Sequence, residues 1–484
     1  MSNLAPDFYA RWRAEHLAPS ALRETGALAQ PDERLLQLIW LHQRLRRDAL
    51  RTLDGQPVAV LHPGFLNREA GPDFRRAILQ IGDQPPGAGD VEVDLRPASW
   101  TQHRHDQNPA YRDVRLHVVW DSEPDAKACL PTMPIRAVLD APLDELRLWL
   151  DAEAAPPLPA NQGGLCSPLF RDLPAALLRE LLLQAARVRL ERKASQLAAR
   201  AKVAGWEQAL WEGLFAALGY KHNVWPMRRL AELLPRLLPP KAAPPLSTVA
   251  LQARLLGVGS LLPAELTRTQ ATTDAYLRSV WDHWWRDRDA FADCLMPRAA
   301  WRFDGLRPAN HPQRRLALAA AWLAAHDWLP RVESWLAEEL PDEALADSLT
   351  ARLQPAPDPF WLRHYTLASA RQPRPQPLLG APRATDLAIN VILPWFWQRA
   401  VAGKNEALQR RVEHRYFAWP AAEDNAVLRS ARQRLLGGAR LAPPRTAALQ
   451  QGLIQVVRDF CDHSNALCAE CRFSEVVRRC LCRA

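Results

Sequence analysis

The chain of 484 residues is long enough for two to four domains, at roughly 150 residues per domain. Hydrophobic residues make up 48% and charged residues 24% of it, which excludes a disordered or fibrous protein. The sequence has neither a long apolar run nor a basic segment followed by an apolar one at its start. We therefore expect no membrane span and no secretory signal, and a cytoplasmic location.

The net charge of +9 is unevenly distributed along the chain. Residues 1–150 hold 18 basic and 21 acidic side chains, whereas residues 401–484 hold 14 basic and 8 acidic ones. A basic C-terminal region beside an acidic N-terminal region is typical of a protein that binds a polyanion and has a metal-dependent acidic site. A solubilising excess of surface arginine accounts for the total equally well.

The first 150 residues have the pattern of a helix followed by several strands. Apolar side chains recur at close to a helical period over residues 31–53, and Pro31 suits the first turn of that helix. Apolar and alternating runs predict strands over residues 57–61, 74–81, 90–96, 114–120 and 135–139. A helix and several strands with Gly/Pro turns between them predict a compact α/β unit with a small mixed sheet.

Beyond Pro142 the sequence changes to amphipathic helical patterns, after a Pro-rich segment at 154–159 that is typical of a linker. The predicted helices span residues 173–204, 206–218, 227–238, 243–257, 262–292, 312–338, 342–352 and 384–401. We therefore predict an α+β protein with an N-terminal α/β domain at 1–150, a helical domain at 160–400, and a basic, cysteine-containing region at 401–484.

The strand predicted at 90–96 alternates strictly between charged and apolar residues. Its charged side chains share one face: Asp90, Glu92, Asp94 and Arg96. Three carboxylates at this spacing repel one another unless the face is solvated or a cation holds them together. Asp73 follows a Gly-Pro turn and begins the neighbouring strand. Asp73, Glu92 and Asp94 thus predict a magnesium or manganese site, with a solvated sheet face as the alternative.

Three histidines follow the acidic strand within a short stretch: His103, His105 and His117. A His-x-His pair next to Asp106 can bind a transition metal or supply a general base near neutral pH. We predict that His103 or His105 accepts or relays a proton in the acidic site. The alternatives are a hydrolase that binds a transition metal through His103, His105 and Asp106, and histidines with a structural role only.

The acidic residues follow the elements in a particular order. Glu33 lies on the leading helix, Asp73 begins the second strand, and Glu92 lies on the third. This layout resembles the PD-(D/E)xK nuclease superfamily, which implies that Asp73 and Glu92 bind a divalent ion. Arg96, on the same strand face, is expected to supply positive charge and contact the phosphate. The chain departs from the pattern at Asp94, where the superfamily has Lys, and Arg96 cannot act as a neutral base in its place.

Five of the eight cysteines lie in the last 24 residues: Cys461, Cys468, Cys471, Cys480 and Cys482. In a reducing intracellular setting such a cluster predicts a metal site rather than disulfides. The first four suit tetrahedral zinc or an iron–sulfur cluster of structural role, with His463 or Cys482 as a further possible ligand. Their first two spacings are similar to the cluster motif of endonuclease III-type DNA glycosylases.

Further motifs are distributed along almost the whole chain. They are PGFLN at 63–67, AGPDF at 70–74, GDVEV at 89–93, W-x2-H-x-H at 100–105, LHVV at 116–119, ERK at 191–193, RPANHP at 307–312, INVI-x-P at 389–394 and the terminal Cys-x2-Cys. Together they resemble the bacterial family catalogued as domain of unknown function 2851, in which we expect His at the position of Asp94. The family name implies no activity, so the function is inferred from the residues.

These observations predict a divalent-metal-dependent nuclease that hydrolyses phosphodiester bonds, with DNA favoured over RNA as its partner. The metal ion would lower the pKa of a bound water and stabilise charge on the phosphate. The helical remainder and the basic C-terminal region would bind the nucleic-acid backbone with little sequence preference. The alternative is a non-catalytic nucleic-acid-binding or scaffold protein with a degenerate nuclease fold, which the missing Lys supports.

Overall fold

The computed structural model describes residues 4–17, 31–67, 70–122, 130–143, 146, 164–220, 222–240, 243–263, 265–266, 275–437, 446–461, 468 and 473–481. The protein has a mixed α+β fold in which helices predominate, as predicted. It divides into two compact units, the first formed by Met1–Arg192 and Glu423–Ala484 and the second by Lys193–Ala422. The division into the regions 1–150, 160–400 and 401–484 stays a prediction from the sequence.

The first unit contains a mixed sheet. Within the described residues its strands are β1 (Val58–His62), β2 (Phe65–Leu66), β3 (Phe74–Ile81), β4 (Gly87–Asp94), β5 (Val114–Val119) and β6 (Thr132–Pro134). The strand order is β1-β3-β4-β5-β6, and β2 pairs with the start of β3. Strand β3 is antiparallel to both β1 and β4, whereas β4, β5 and β6 run parallel to one another. The sheet therefore changes from antiparallel to parallel pairing at β4.

Helices make up most of the remaining regular structure. In the described part of the chain they are α1 (Phe8–Leu17), α2 (Glu33–Leu41), α3 (Ser99–Gln102), α4 (Ser167–Asp172), α5 (Ala175–Ala204), α6 (Trp206–Leu218), α7 (Val224–Glu232), α8 (Leu234–Leu237), α9 (Thr248–Val258), α10 (Ala275–Asp287), α11 (Pro312–Ala324), α12 (Trp328–Ala337), α13 (Leu345–Leu353), α14 (Ala381–Leu387), α15 (Leu393–Ala402), α16 (Glu406–Ala418), α17 (Ala426–Leu436), α18 (Ala447–Phe460) and α19 (Phe473–Leu481). A π-helical turn at Ala388–Ile392 joins α14 to α15. Among the helices described here, none has the length and apolar character that crossing a membrane requires.

Helix α2 is shorter than the helix predicted over residues 31–53. The side chain of Asp32 caps its N-terminus, where Oδ1 accepts a hydrogen bond from a first-turn N–H at 2.8 Å. The helix ends at Leu41, and Gln43 then adopts a left-handed backbone with φ of 46°. Apolar residues further along, such as Leu45, are buried from turn and extended segments. Apolar spacing alone therefore overstated the length of this helix.

Most strand predictions lie within a few residues of the observed strands, but the one over 135–139 is wrong. The strand lies at Thr132–Pro134, where it pairs with β5, and Arg136–Val138 form a 3-10 turn. Ile135 is fully buried from this turn, so its apolar character does not require a strand.

The helical predictions also differ in detail from the structure. The stretches at 173–204 and 206–218 correspond to α5 and α6, whereas the stretch at 312–338 is divided into α11 and α12. The linker predicted at 154–159 and part of the helix predicted at 262–292 lie outside the described residues.

The C-terminal helices of the first unit pack against α1. The hydroxyl of Tyr9 donates to Oδ2 of Asp459 at 2.8 Å, and Nε of Arg13 lies 3.0 Å from Oδ1 of the same carboxylate. The rings of Trp12 and Phe460 lie 4.6 Å apart. Asp459 is only 1% exposed, so these two partners compensate a charge that is buried in the core. Segments from opposite parts of the sequence thus share one core.

His62, at the end of β1, is expected to make the stability of this fold sensitive to acid. Its Nδ1 accepts a hydrogen bond from the N–H of Gly64 at 3.0 Å, which requires a neutral ring nitrogen. Burial, together with the nearby Arg76, lowers the pKa of His62 to about 4, against about 6.5 in an unfolded chain. The neutral ring therefore stabilises the fold fully above about pH 6.5, and this contribution is lost as the pH falls through about 4.

Between about pH 6.5 and about pH 4, we expect the protonation of this histidine to lower the free energy of unfolding by about 3 kcal/mol. In His62→Asn, whose amide oxygen still accepts from Gly64, stability should fall less over this range. Urea denaturation followed by tryptophan fluorescence measures the difference, with the exposed His414→Asn as control. The same pH dependence in His62→Asn and wild type would contradict the assignment.

Candidate metal centre

The candidate site is built on the parallel pair of strands β4 and β5. The register pairs Glu92 with His117, and Asp94 follows Glu92 by two residues, so the strand period places these side chains on one face. All three are buried, with 6% of Glu92, 2% of Asp94 and 2% of His117 exposed. The face that alternation predicted as charged is therefore buried rather than solvated at this end of β4.

Asp94 is held by histidines on two sides. Its Oδ2 lies 2.9 Å from Nε2 of His117, and its Oδ1 lies 3.7 Å from Nδ1 of His103. The hydrogen bond with His117 fixes the orientation of the carboxylate and leaves Oδ1 facing His103. Residues behind the ligands of known metal sites orient ligand oxygens by hydrogen bonds of this kind.

His103 and His105 reach the sheet from the turn that follows α3. Between them, Arg104 adopts a left-handed backbone with φ of 58°, which reverses the chain so that both rings face the carboxylates. Asp94, His103 and His105 each offer one ligand atom, and these atoms all lie within 4.8 Å of one another. One ion can therefore contact all three side chains with small side-chain movements.

The ring of His105 is the most constrained part of this cluster. It stacks on the ring of Tyr111, with ring centres 4.0 Å apart. It also packs edge-to-face with Trp100, with ring centres 5.4 Å apart. Its Nε2 lies 3.3 Å from Oε1 of Glu92 but makes no hydrogen bond within the described residues, although it is buried. A buried nitrogen without a hydrogen bond is costly, and a metal ion would satisfy it.

Asp73 lies beside this cluster and is bound by the backbone of β4 and by α2. Its Oδ1 accepts from Nε2 of Gln37 at 2.9 Å, and its Oδ2 accepts from the N–H of Val93 at 3.2 Å. The N–H of Asp73 in turn donates to Oε2 of Glu92 at 3.0 Å. Helix α2 packs against β4 and so places Gln37 next to the carboxylates.

The carboxylates are close enough to disturb one another's ionisation. Burial raises the pKa of Glu92 to about 9, and the neighbouring Asp73 adds to the shift. Burial also raises the pKa of Asp73 to about 7, although its hydrogen bond with Gln37 opposes the change. Burial lowers the pKa of His105, which favours the neutral ring that binds metal. A divalent cation among these groups would favour the ionised carboxylates.

The structure brings five of the predicted site residues together: Asp73, Glu92, Asp94, His103 and His105. Arg96 is exposed and lies beyond β4, which ends at Asp94, so the strand predicted over 90–96 is too long at this end. Of the predicted cysteine ligands, Cys461 is buried and Cys468 partly buried. Cys471, His463, Cys482 and the side chain of Cys480 lie outside the described residues.

Sequence reasoning missed three neighbours of the site. Gln37 and Tyr111 received no role, and His117 was noted without its bond to Asp94. Gln37 follows Glu33 by four residues and therefore shares its helix face, a signal that was available in the sequence. The stacking of Tyr111 on His105 depends on the turn between them and has no comparable signal.

The fold and the site define a mixed α+β protein in which buried carboxylates on β4, the strand parallel to β5, meet two histidines from the turn after α3, of which His103 is exposed. The chain matches the family model described as Protein of unknown function (DUF2851) over residues 33–425, and it belongs to that family. This confirms the resemblance to that family seen in the sequence. Neither the curated proteins nor the solved structures contain a match to the chain. The likeness to PD-(D/E)xK nucleases therefore stays a hypothesis.

Proposed function

We propose that this protein is a divalent-metal-dependent hydrolase of phosphodiester bonds in nucleic acid. The observation that carries the proposal is the convergence of Asp94, His103 and His105 beside the buried carboxylate of Glu92 and the half-buried carboxylate of Asp73. Mutual repulsion and burial make such a group costly without a cation. A bound divalent ion would remove that cost and could activate the water that hydrolyses a phosphodiester bond.

Each side chain has a role in this proposal. Asp94, His103 and His105 bind the ion, and His117 orients Asp94 through their hydrogen bond. A bound ion would lower the pKa of its water and stabilise negative charge on the phosphate. Glu92 lies against His105 and would accept a proton from the attacking water, since a nearby cation would keep this carboxylate ionised. Ligand roles for Asp73 and Glu92 themselves stay predictions.

Exposed arginines supply the contacts to the nucleic-acid backbone. Arg96, Arg104 and Arg112 are exposed and come from the same segments as the site residues. With the basic C-terminal region, they favour binding to phosphates with a strong dependence on salt and little sequence preference. We propose DNA rather than RNA as the substrate. Zinc or an iron–sulfur cluster at the C-terminal cysteines completes the proposal as a structural centre.

The ligand set predicts which ion supports activity. Two imidazoles with one carboxylate favour manganese over magnesium, which prefers all-oxygen coordination. We expect Mn²⁺ to support cleavage of single- or double-stranded DNA at least about tenfold faster than Mg²⁺ at equal concentration. A chelator should abolish the cleavage, and added Mn²⁺ should restore it. Nicking of supercoiled plasmid and cleavage of labelled oligonucleotides measure both effects.

The same assay separates this proposal from its alternative. Labelled RNA of the same sequence tests the choice of DNA. Binding to DNA without cleavage under any divalent ion would contradict the enzymatic proposal and leave a non-catalytic nucleic-acid-binding protein. Equal activity with Mg²⁺ and Mn²⁺ would contradict the histidine ligands and favour an oxygen-only site at Asp73 and Glu92.

A further inference from the structure

A second group of side chains of the kind that can bind metals lies in the first unit, between α4 and the C-terminal helices. Cys166 immediately precedes α4, is 6% exposed, and belongs to the same apolar core as Cys461. Cys468 is partly buried and follows α18. The sequence places Cys166 about 300 residues before Cys468, so spacing gives no reason to connect them.

Cys166 and Cys468 approach one another at Gly164. A Cβ atom at Gly164 would lie 3.4 Å from Sγ of Cys166 and 3.6 Å from Sγ of Cys468. It would also lie 2.9 Å from the carbonyl oxygen of Arg434, a carbonyl that accepts a hydrogen bond from the N–H of Gly164 at 2.7 Å. Because glycine has no Cβ atom, this segment can pass close to Arg434. Both sulfur atoms lie within van der Waals distance of the position that a Cβ atom of Gly164 would occupy.

A buried cation completes the surroundings of this pair. Arg434 is 4% exposed, and its Nη2 donates to Sγ of Cys468 at 3.2 Å. Its Nε is buried and makes no hydrogen bond within the described residues. A buried guanidinium requires an adjacent negative charge, which the sulfur ligands of a metal centre would supply. The thiolate is the form that binds metals.

We propose that Cys166 and Cys468 ligate one thiolate-bound metal centre, whose negative charge Arg434 compensates. This inference deepens the cysteine centre of the proposed function and is independent of the histidine–carboxylate site. It adds Cys166, which lies outside the C-terminal cysteine cluster, to the ligands of that centre. The centre thereby links the segment before α4 to the C-terminal helices of the same unit.

The test is the metal content of protein purified without oxygen. We expect the wild type to contain zinc or iron and Cys166→Ser and Cys468→Ser to lose it at least about fivefold, because thiolates supply the binding energy. Cys294→Ser removes a buried cysteine of the second unit and should retain the wild-type content. A Cys166→Ser variant with the wild-type content, or a wild type without metal, would overturn the proposal. DNA cleavage by the wild type is measured separately and tests only the nuclease proposal.

A measurement on unaltered protein covers the case in which Cys166→Ser does not fold. After chelation, diamide should oxidise the two thiols to a Cys166–Cys468 disulfide, taking up their two electrons and two protons. Peptide mass spectrometry should detect this disulfide in chelated protein and at least about tenfold less of it in metal-loaded protein, where the metal holds the thiolates. Equal yields with and without metal, or no such disulfide, would contradict shared ligation.

Discussion

Replacement of Asp94 by asparagine is expected to lower the rate of Mn²⁺-dependent DNA cleavage by at least about a thousandfold, on the order of 4 kcal/mol in the barrier. The change keeps the shape of the side chain but removes its charge. An amide is a far weaker ligand for a divalent ion, and the ion would lose its carboxylate among two imidazoles. Single-turnover cleavage and calorimetric titration of Mn²⁺ measure the losses of rate and affinity together.

Asp90 offers a matched control on the same strand. Asp90→Asn makes the same chemical change four residues earlier, where Oδ1 accepts a hydrogen bond from the N–H of Arg76 at 2.9 Å. The amide oxygen of asparagine still accepts this bond, so we expect rate and Mn²⁺ affinity within about twofold of wild type. Similar losses in both variants would show that Asp94 acts through general charge rather than as a ligand.

Replacement of Glu92 by glutamine is the second large effect that we expect. This change removes the proposed proton acceptor but leaves the proposed ligands Asp94, His103 and His105. The cleavage rate should therefore fall by about a hundred- to a thousandfold. The affinities for Mn²⁺ and for DNA should be nearly unchanged. The amide oxygen can still accept from the N–H of Asp73. Single-turnover cleavage, calorimetry and fluorescence anisotropy with labelled DNA separate the three quantities.

The stability of this variant gives an independent check. Because burial raises the pKa of Glu92 to about 9, this carboxyl is protonated in the metal-free fold at neutral pH but ionised in the unfolded chain, and the proton taken up on folding costs stability. A neutral glutamine removes that cost, so in the presence of chelator the variant should have a Tm equal to or above that of the wild type. A variant with undiminished cleavage would reject the catalytic role, and a lower Tm in chelator would show that the charge stabilises the fold.

The part of the site that depends on one strand was predictable from the sequence. The alternation in the strand placed Glu92 and Asp94 on one face, and the structure retains this arrangement. The parallel pairing of β4 with β5, which brings His117 opposite Glu92, was not predictable, because strand partners follow from the tertiary fold and not from local pattern. The arrangement of histidines around Asp94 therefore became visible only in the structure.

Local signals were reliable where they came from one element and misleading where several segments share a core. The strand over 74–81 was predicted with its observed bounds because its apolar run is bounded by the Gly71-Pro72 turn on one side and by Gly82 on the other. The helix over 31–53 was overextended, because burial of residues such as Leu45 serves the core whatever their backbone conformation. The approach of Cys166 to Cys468 leaves no trace in spacing, since the two lie on distant segments.

The discontinuity of the first unit has a consequence for biosynthesis. The 230 residues of Lys193–Ala422 separate its two parts, so at typical translation rates tens of seconds pass between synthesis of the sheet and synthesis of Glu423–Ala484. During that interval the partners of Tyr9 and Trp12 on α18 do not yet exist. The apolar core of the first unit can therefore be completed only after the whole second unit has been synthesised.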